Sequence, residues 1–372
     1  MASGADSNGH QKQASQCSLS SSSSSSSAGS DTKSNSGSEN GSSERKVDPY
    51  GFERSEDFDF ETYEQFMSSY LSILARRAAR WKDSYDDKRK ISRSRKLKRF
   101  CRKGIPGDLR PDVWMLASGA SERMAEDPNR YKSLLSQTAD QAVTDAILLD
   151  IHRTFPENVY FNALSDPQSL RKPLQNVLEA ISISNPHVGY CQGMNFVAGL
   201  LLLVTKSEER AFWLMDTLIQ NILPDYYAAN MIAVKAEQEL LGDIVKWKLP
   251  LLHSHLAALG VEWGLVGAKW FICLYADVMP VETVLRIWDC MFLEGSKILL
   301  RVALTLVTLN KDRLLAATNF PQAMDIFRDI VHEPPSLQCH SFLQSIFSVT
   351  GSMPKARIKS MRDKCVKDAL QS

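Results

Sequence analysis

From residue 104 to about residue 350, apolar side chains return every three or four positions, and no stretch keeps the two-residue beat of a strand for long. Phe212, Met215, Leu218, Ile219 and Ile222 form one such stripe, and Leu240, Leu241, Ile244 and Val245 a second. Val284, Leu285, Trp288, Met291 and Phe292 form a third. A stripe of this width must be buried against another, so the period commits the region to helix-on-helix packing. Punctuation limits helix length, because Pro156, Pro186, Pro224, Pro250, Gly260, Pro280, Gly295 and Pro321 recur too often for long rods. The expectation is an all-α, irregular array of medium helices, with no repeat period that would make it a regular solenoid.

Around this region lie segments of different character. Residues 1–47 are dominated by Ser, Gly and Asn, with an unbroken serine run from Ser20 to Ser27. Such composition buries too little apolar surface to offset ordering entropy, which predicts a disordered tail, with serine phosphorylation as its one suggested use. Residues 48–103 form a lead-in, first acidic and aromatic, then basic. Apolar residues at 63, 66, 67, 70, 71, 74, 78 and 81 trace one helix face ending near Trp81. From Arg76 to Lys103 there are fourteen Lys or Arg against three Asp. That run reads either as a surface drawn to anionic membranes or as a solvated linker offsetting the acids before it. It lacks the interleaved aromatics and glycines of a nucleic-acid platform. At Gly104 the packed region begins, with Pro111 suited to a first helical turn, and residues 351–372 close the chain as a basic segment.

Composition excludes several classes. A formal net charge of +1 gives no bulk attraction to nucleic acid. The seven cysteines are odd in number and lack a CxxC pair, which fits a reduced, cytosolic protein. The longest apolar runs, such as Phe196 to Val204, fall short of the roughly 20 residues that span a bilayer. No GxxxxGK, GxGxxG, HExxH or GxSxG motif occurs, so no phosphate loop of its own is expected. His253 and His255 lie two apart on an expected helix and face different ways, which disfavours a metal site.

Two stretches carry chemistry. Ala142 to Phe155 reads as a helix with Val143, Ala146, Ile147 and Ile151 on its apolar side, ended by Pro156. Asp150 and Arg153 are then surface neighbours, and Arg153 lies in the last turn with its side chain free to reach outward. Taken alone, they are also an ordinary exposed ion pair. The second stretch is Val188-Gly189-Tyr190-Cys191-Gln192-Gly193-Met194-Asn195, set between a Pro-bearing loop and an apolar run. It reads as a helix entrance that turns the Gln192 amide toward phosphate or water beside a permissive glycine, or else as a turn in which Gln192 caps the helix. Cys191 reads as a small buried filler.

Ile147-x-x-Asp150-x-x-Arg153 and Tyr190-Cys191-Gln192-Gly193 resemble, in order and approximate spacing, the two signature motifs of the TBC domain, the Rab GTPase-activating module. Ile105-Pro106 with Leu109-Arg110 and Val113-Trp114 is similar to that domain's opening motif. Trp270-Phe271 followed by Leu285-Arg286-Ile287-Trp288-Asp289 is similar to its later core motif. The likeness covers about residues 104–347. It implies a GTPase-activating protein for a GTP-bound Rab-family partner, acting in vesicle-mediated transport. Arg153 would be an arginine finger, Gln192 would orient the attacking water, Asp150 would hold Arg153, and Tyr190 and Gly193 would shape the loop. The chain would carry no cofactor of its own, GTP and Mg²⁺ being brought by the Rab. A cytoplasmic location, peripheral on endomembranes, goes with that reading. The rival is a non-catalytic helical scaffold that binds an active Rab as an effector.

Overall fold

Prolines open helices here as well as close them. Pro111, Pro250 and Pro321 each sit in the first turn of a helix (Arg110–Ser118, Pro250–Ala258 and Phe320–Asp329), where the missing N–H has no intrahelical partner to lose. Gly295, with a φ of 84°, ends the Val281–Glu294 helix. The computed structural model describes residues 47–54, 56, 58–85, 91–162, 167–228 and 230–371. Among them are nineteen α-helices and no strand beyond two isolated bridges. The tail expected to be disordered lies, apart from Val47, outside the described residues.

The three apolar stripes are interior apart from Ile222, which is half-buried. The Val281–Glu294 helix is a hub, packed against Arg95–Lys103, Arg110–Ser118, Lys297–Leu309 and Cys339–Ser348. Ile232–Lys248 is another, against Pro250–Ala258, Trp263–Ile272, Lys297–Leu309 and Lys355–Gln371. A third group joins Gln141–Ile151, Arg171–Ser184, Met194–Thr205 and Glu208–Thr217. No helix among the described residues is long and apolar enough to cross a membrane.

At the first hub a charged network is centred on a buried aspartate. Asp289, wholly buried, accepts at Oδ1 from Arg110 Nε (3.3 Å) and Trp114 Nε1 (3.0 Å), and at Oδ2 from Arg286 Nη1 (3.0 Å) and the Ile105 amide (3.1 Å). Arg110 also reaches Glu282 Oε1 at 3.0 Å and the Tyr50 hydroxyl at 2.6 Å. Two guanidiniums thus face two carboxylates, the condition under which buried charge is tolerated. The carbonyl of Pro106 accepts from the Leu109 and Arg110 amides and folds the turn that aims Arg110 inward. Trp288 packs against Trp114 (6.0 Å between ring centroids) and donates to the Leu274 carbonyl.

The lead-in is built differently from its sequence pattern in two respects. The first helix, Phe60–Ser84, buries Tyr70, Arg77 and Trp81, while Ala78 is exposed and Leu71 is 56% exposed. Tyr63, Phe66, Met67 and Leu74 are half-buried, so the expected face holds along most of the helix, but near its end the Arg77 guanidinium, donating to the Tyr70 hydroxyl at 3.3 Å, takes the inward place instead of Ala78. The second half of the basic run is no open linker. It forms the Arg95–Lys103 helix, with Leu97 and Cys101 buried and Lys98 and Arg102 both paired to Glu294.

Ahead of these helices, residues 47–53 form a short strap. Asp48 Oδ1 accepts from the Tyr50 and Phe52 amides, and Phe52 pairs with Asn158 in an antiparallel bridge. The Glu53 amide donates to the Glu157 carbonyl and the Val159 amide to that of Gly51.

Candidate functional site

Gln141–Ile151 begins with Asp140, whose carboxylate accepts from the Ala142 and Val143 amides. The helix expected to continue to Phe155 ends at Ile151. Pro156 forces Phe155 out of helical geometry, and Phe155 takes a φ of 48°, with its ring in a cluster with Phe52, Phe161 and Phe196. Thr154 Oγ1 meanwhile donates to the Asp150 carbonyl at 2.7 Å. Arg153 therefore lies beyond the helix in a tight turn, not in its last turn, and Ala146, expected on the inner face, is exposed.

Asp150 is buried, which makes the pair with Arg153 more than a surface contact. Its Oδ1 accepts from Arg153 Nε (2.8 Å) and Nη2 (2.6 Å), and its Oδ2 accepts from the Tyr190 hydroxyl (2.6 Å). Burial, then the bond to Asp150, pushes the Tyr190 phenol well above its ordinary value, so it remains a donor. Arg153 keeps 52% of its side chain exposed, and its Nη1 has no hydrogen bond within the described residues. The carboxylate thus holds one edge of the guanidinium and leaves the other toward solvent.

The second stretch begins where Arg171–Ser184 ends. Asn185, fully buried, caps that helix, and its carbonyl accepts from the Val188 and Gly189 amides. Its Nδ2 donates to Asp216 Oδ1 at 2.8 Å, and Asp216 is paired with Arg123. Gln192 is exposed, and it does not cap Met194–Thr205. The cap is Gly193, with a φ of 106° and no side-chain bond to the helix start. A Cβ at Gly193 would stand 2.4 Å from Ile272 Cγ2, so conformation and close packing both require glycine. Cys191 is half-buried, and burial pushes its thiol up to about 11, which leaves it no nucleophile near neutral pH.

What joins the two stretches is Asn195. It donates through Nδ2 to Thr154 Oγ1 (2.8 Å) and accepts at Oδ1 from the Gly193 amide (3.0 Å). With the Tyr190–Asp150 bond, it locks the Arg153 turn to the Gln192 loop at two points. Neither Asn195 nor Thr154 was singled out from sequence. The available signal was an asparagine in the first turn of an apolar helix, which must find partners when buried. Ile147, three residues before Asp150 on the same helix, is wholly buried. Ile105, Pro106, Arg110, Trp114, Trp288 and Asp289 belong to the separate network around Asp289. His255 Nε2 makes a 2.9 Å contact with the Ala317 carbonyl, and no metal-holding cluster of His, Cys, Asp and Glu occurs among the described residues.

This geometry coincides with a known family. Residues 107–315 match the profile of the Rab-GTPase-TBC domain, and the chain belongs to that family. It is 48% identical over 320 residues to growth hormone-regulated TBC protein 1 of Homo sapiens, across 86% of this chain and 95% of that protein. To growth hormone-regulated TBC protein 1-A of Danio rerio it is 48% identical over 319 residues, across 86% and 89%. The fold superposes on the Chlamydomonas flagellar RabGAP TBC domain with a TM-score of 0.70 at 31% identity, covering 81% of this chain and 99% of that one. The Ypt/Rab-GAP domain of Gyp1p shares the fold, with a TM-score of 0.62 at 21% identity over 74% of this chain and 98% of that one.

Proposed function

We propose that this protein accelerates GTP hydrolysis by a Rab-family GTPase, supplying Arg153 and Gln192 to a nucleotide held by that partner. The observation that carries the reading is the half-used guanidinium: Asp150 grips Arg153 from below while the far edge stands in solvent beside the exposed Gln192 loop. Such an edge suits phosphate oxygens on which charge builds as the terminal phosphoryl group departs. The Gln192 amide, with both a donor and an acceptor, suits the attacking water. The partner's GTP and Mg²⁺ supply the reacting bond and its neutralising metal. This chain's own residues add position: Asp150 and Tyr190 fix the arginine, and Asn195 and Gly193 fix the glutamine loop. Leu149, adjacent to Asp150 and 73% exposed, gives the docking face an apolar contact. An interface of the usual ~1,600 Å² would surround it. Acting on a GTP-bound Rab at an endomembrane, the protein would end that Rab's active state and so regulate vesicle traffic.

The test is a single-turnover measurement of GTP loss from a panel of loaded Rabs. Stimulation is expected for at least one, and Arg153→Lys should abolish most of it, because an ammonium cannot bridge two oxygens as the fork does. Tight binding to a GTP-loaded Rab with no change in its hydrolysis would instead make the protein an effector-type scaffold.

A further inference from the structure

The two basic segments that the sequence keeps far apart meet at one cleft. It opens around the Gly295 turn between Val281–Glu294 and Lys297–Leu309 and has a volume of about 610 Å³. Arg93, from the run before the domain, faces Lys355, Lys359 and Arg362 of the last helix, with Lys297 on the wall. None of these residues belongs to the Asp150 site.

The charge in this cleft is not balanced from within. Glu294 is the one acid on the lining, and its two oxygens are already bonded by Arg102 (2.6 and 2.7 Å) and Lys98 (2.7 Å). Arg362 is paired with Glu237. Arg93, Lys297, Lys355 and Lys359 have no carboxylate partner among the described residues. Burial, then Arg301, Lys98 and Lys355, pull the Lys297 ammonium below its ordinary value, with Glu294 only partly opposing them. Lys297 and Lys355 are also the first residues of their helices, neither of which has an acid in its first turn. Four cations without a carboxylate partner thus line one concavity, and a multiply charged anion seated there would face all four at once. Two phosphate groups carry about −3 to −4 near neutral pH, which matches the excess. The Ser296 hydroxyl, which accepts from Arg362 and keeps its proton, and the Asn221 amide on the same wall can donate neutral hydrogen bonds to phosphate oxygens.

We propose that this cleft is a binding site for a multiply phosphorylated group, either the headgroup of a phosphoinositide lipid or a free polyphosphate. The test uses the full chain and two probes, inorganic pyrophosphate and a soluble inositol polyphosphate, read by thermal shift and calorimetry. Both should raise the melting temperature, more weakly as salt is added. The exposed pair Lys355→Gln with Lys359→Gln should weaken the affinity by about tenfold or more, by the loss of two charge-assisted contacts. Lys132→Gln with Lys235→Gln, the same charge change on another surface, should leave it unchanged. Flotation with phosphatidylcholine vesicles containing phosphoinositide, competed by the soluble headgroup, assigns the lipid. Binding of the soluble probes without flotation assigns the free anion. No thermal shift with either probe, or an equal loss in the control pair, overturns the proposal. Since the variants leave Arg153 and Gln192 intact, stimulated GTP hydrolysis in solution should be unchanged, and the two readings fail separately.

Discussion

Asp289 and Asp150 are built from the same parts and put to opposite ends. Each is buried, and each is bonded by an arginine and an aromatic donor, Arg110 and Trp114 in one case, Arg153 and Tyr190 in the other. Around Asp289 both guanidiniums are buried, bonding the two carboxylates, Tyr50 and the carbonyls of Cys101 and Arg102, and Glu282 alone of the four charges reaches solvent. Around Asp150 both carboxylate oxygens are occupied too, but its arginine keeps one edge of the guanidinium toward solvent. Buried arginines make the first a fastening between helices; the solvent-facing edge of Arg153 is what the proposed function draws on in the second. The distinction is invisible in residue type and lies in which member of the pair is covered.

The largest effect expected from this contrast is on rate. Arg153→Ala should cut stimulated hydrolysis by roughly 10³ to 10⁵, about 4 to 7 kcal/mol of barrier, and it should also lower the urea midpoint, because buried Asp150 is left with Tyr190 alone. Gln192→Ala, whose side chain is exposed, should slow hydrolysis with the midpoint unchanged, and a shift there would mean that the loop is a fastening too. Asp289→Ala should reverse the signature. It strands Arg110 and Arg286 without their shared carboxylate and should cost about 3 to 5 kcal/mol of stability in denaturant titration. Tyr190→Phe leaves one buried oxygen of Asp150 unbonded. A loss of about 1 to 3 kcal/mol in kcat/KM, carried by kcat, would place the tyrosine in positioning rather than docking. The smallest effect belongs to pH. Burial raises the Glu282 carboxyl, but Arg110 and Tyr50 more than offset this and hold it below its ordinary value. Its contribution is then complete above the unfolded value of about 4.3 and lost as pH falls through the lower folded one. Glu282→Gln should flatten that acid limb of the stability curve, and an unchanged limb would place the acid sensitivity elsewhere.

What could be read from the sequence followed from repetition. Helical stripes announce themselves several times over, and prolines mark where each can start or stop, so the all-helical architecture and its main buried faces were accessible. Asp150, Arg153 and Gln192 were accessible through motif order. The end of Gln141–Ile151 was not, because Thr154 and Phe155 choose their conformations for partners, Asn195 and Phe52, that lie far along the chain. Arg77 takes the inner face of the first helix in place of Ala78 for a similar reason: periodicity ranks an arginine as outward, and the hydroxyl and ring of Tyr70, two turns away, receive its guanidinium. The strap at 47–53 is too short to have a period, and its bridge partner Asn158 is more than a hundred residues away.

That strap also sets an order of events in synthesis. Tyr50 bonds Glu282 across 232 positions. A ribosome adding about 5 to 20 residues per second leaves the tyrosine waiting roughly 10 to 50 s before its partner exists. The same segment pairs with the backbone just beyond Arg153, and that pairing needs nothing past residue 159. The strap can therefore close in two stages, first over the turn that carries the arginine and only later, through Tyr50, onto the Val281–Glu294 helix.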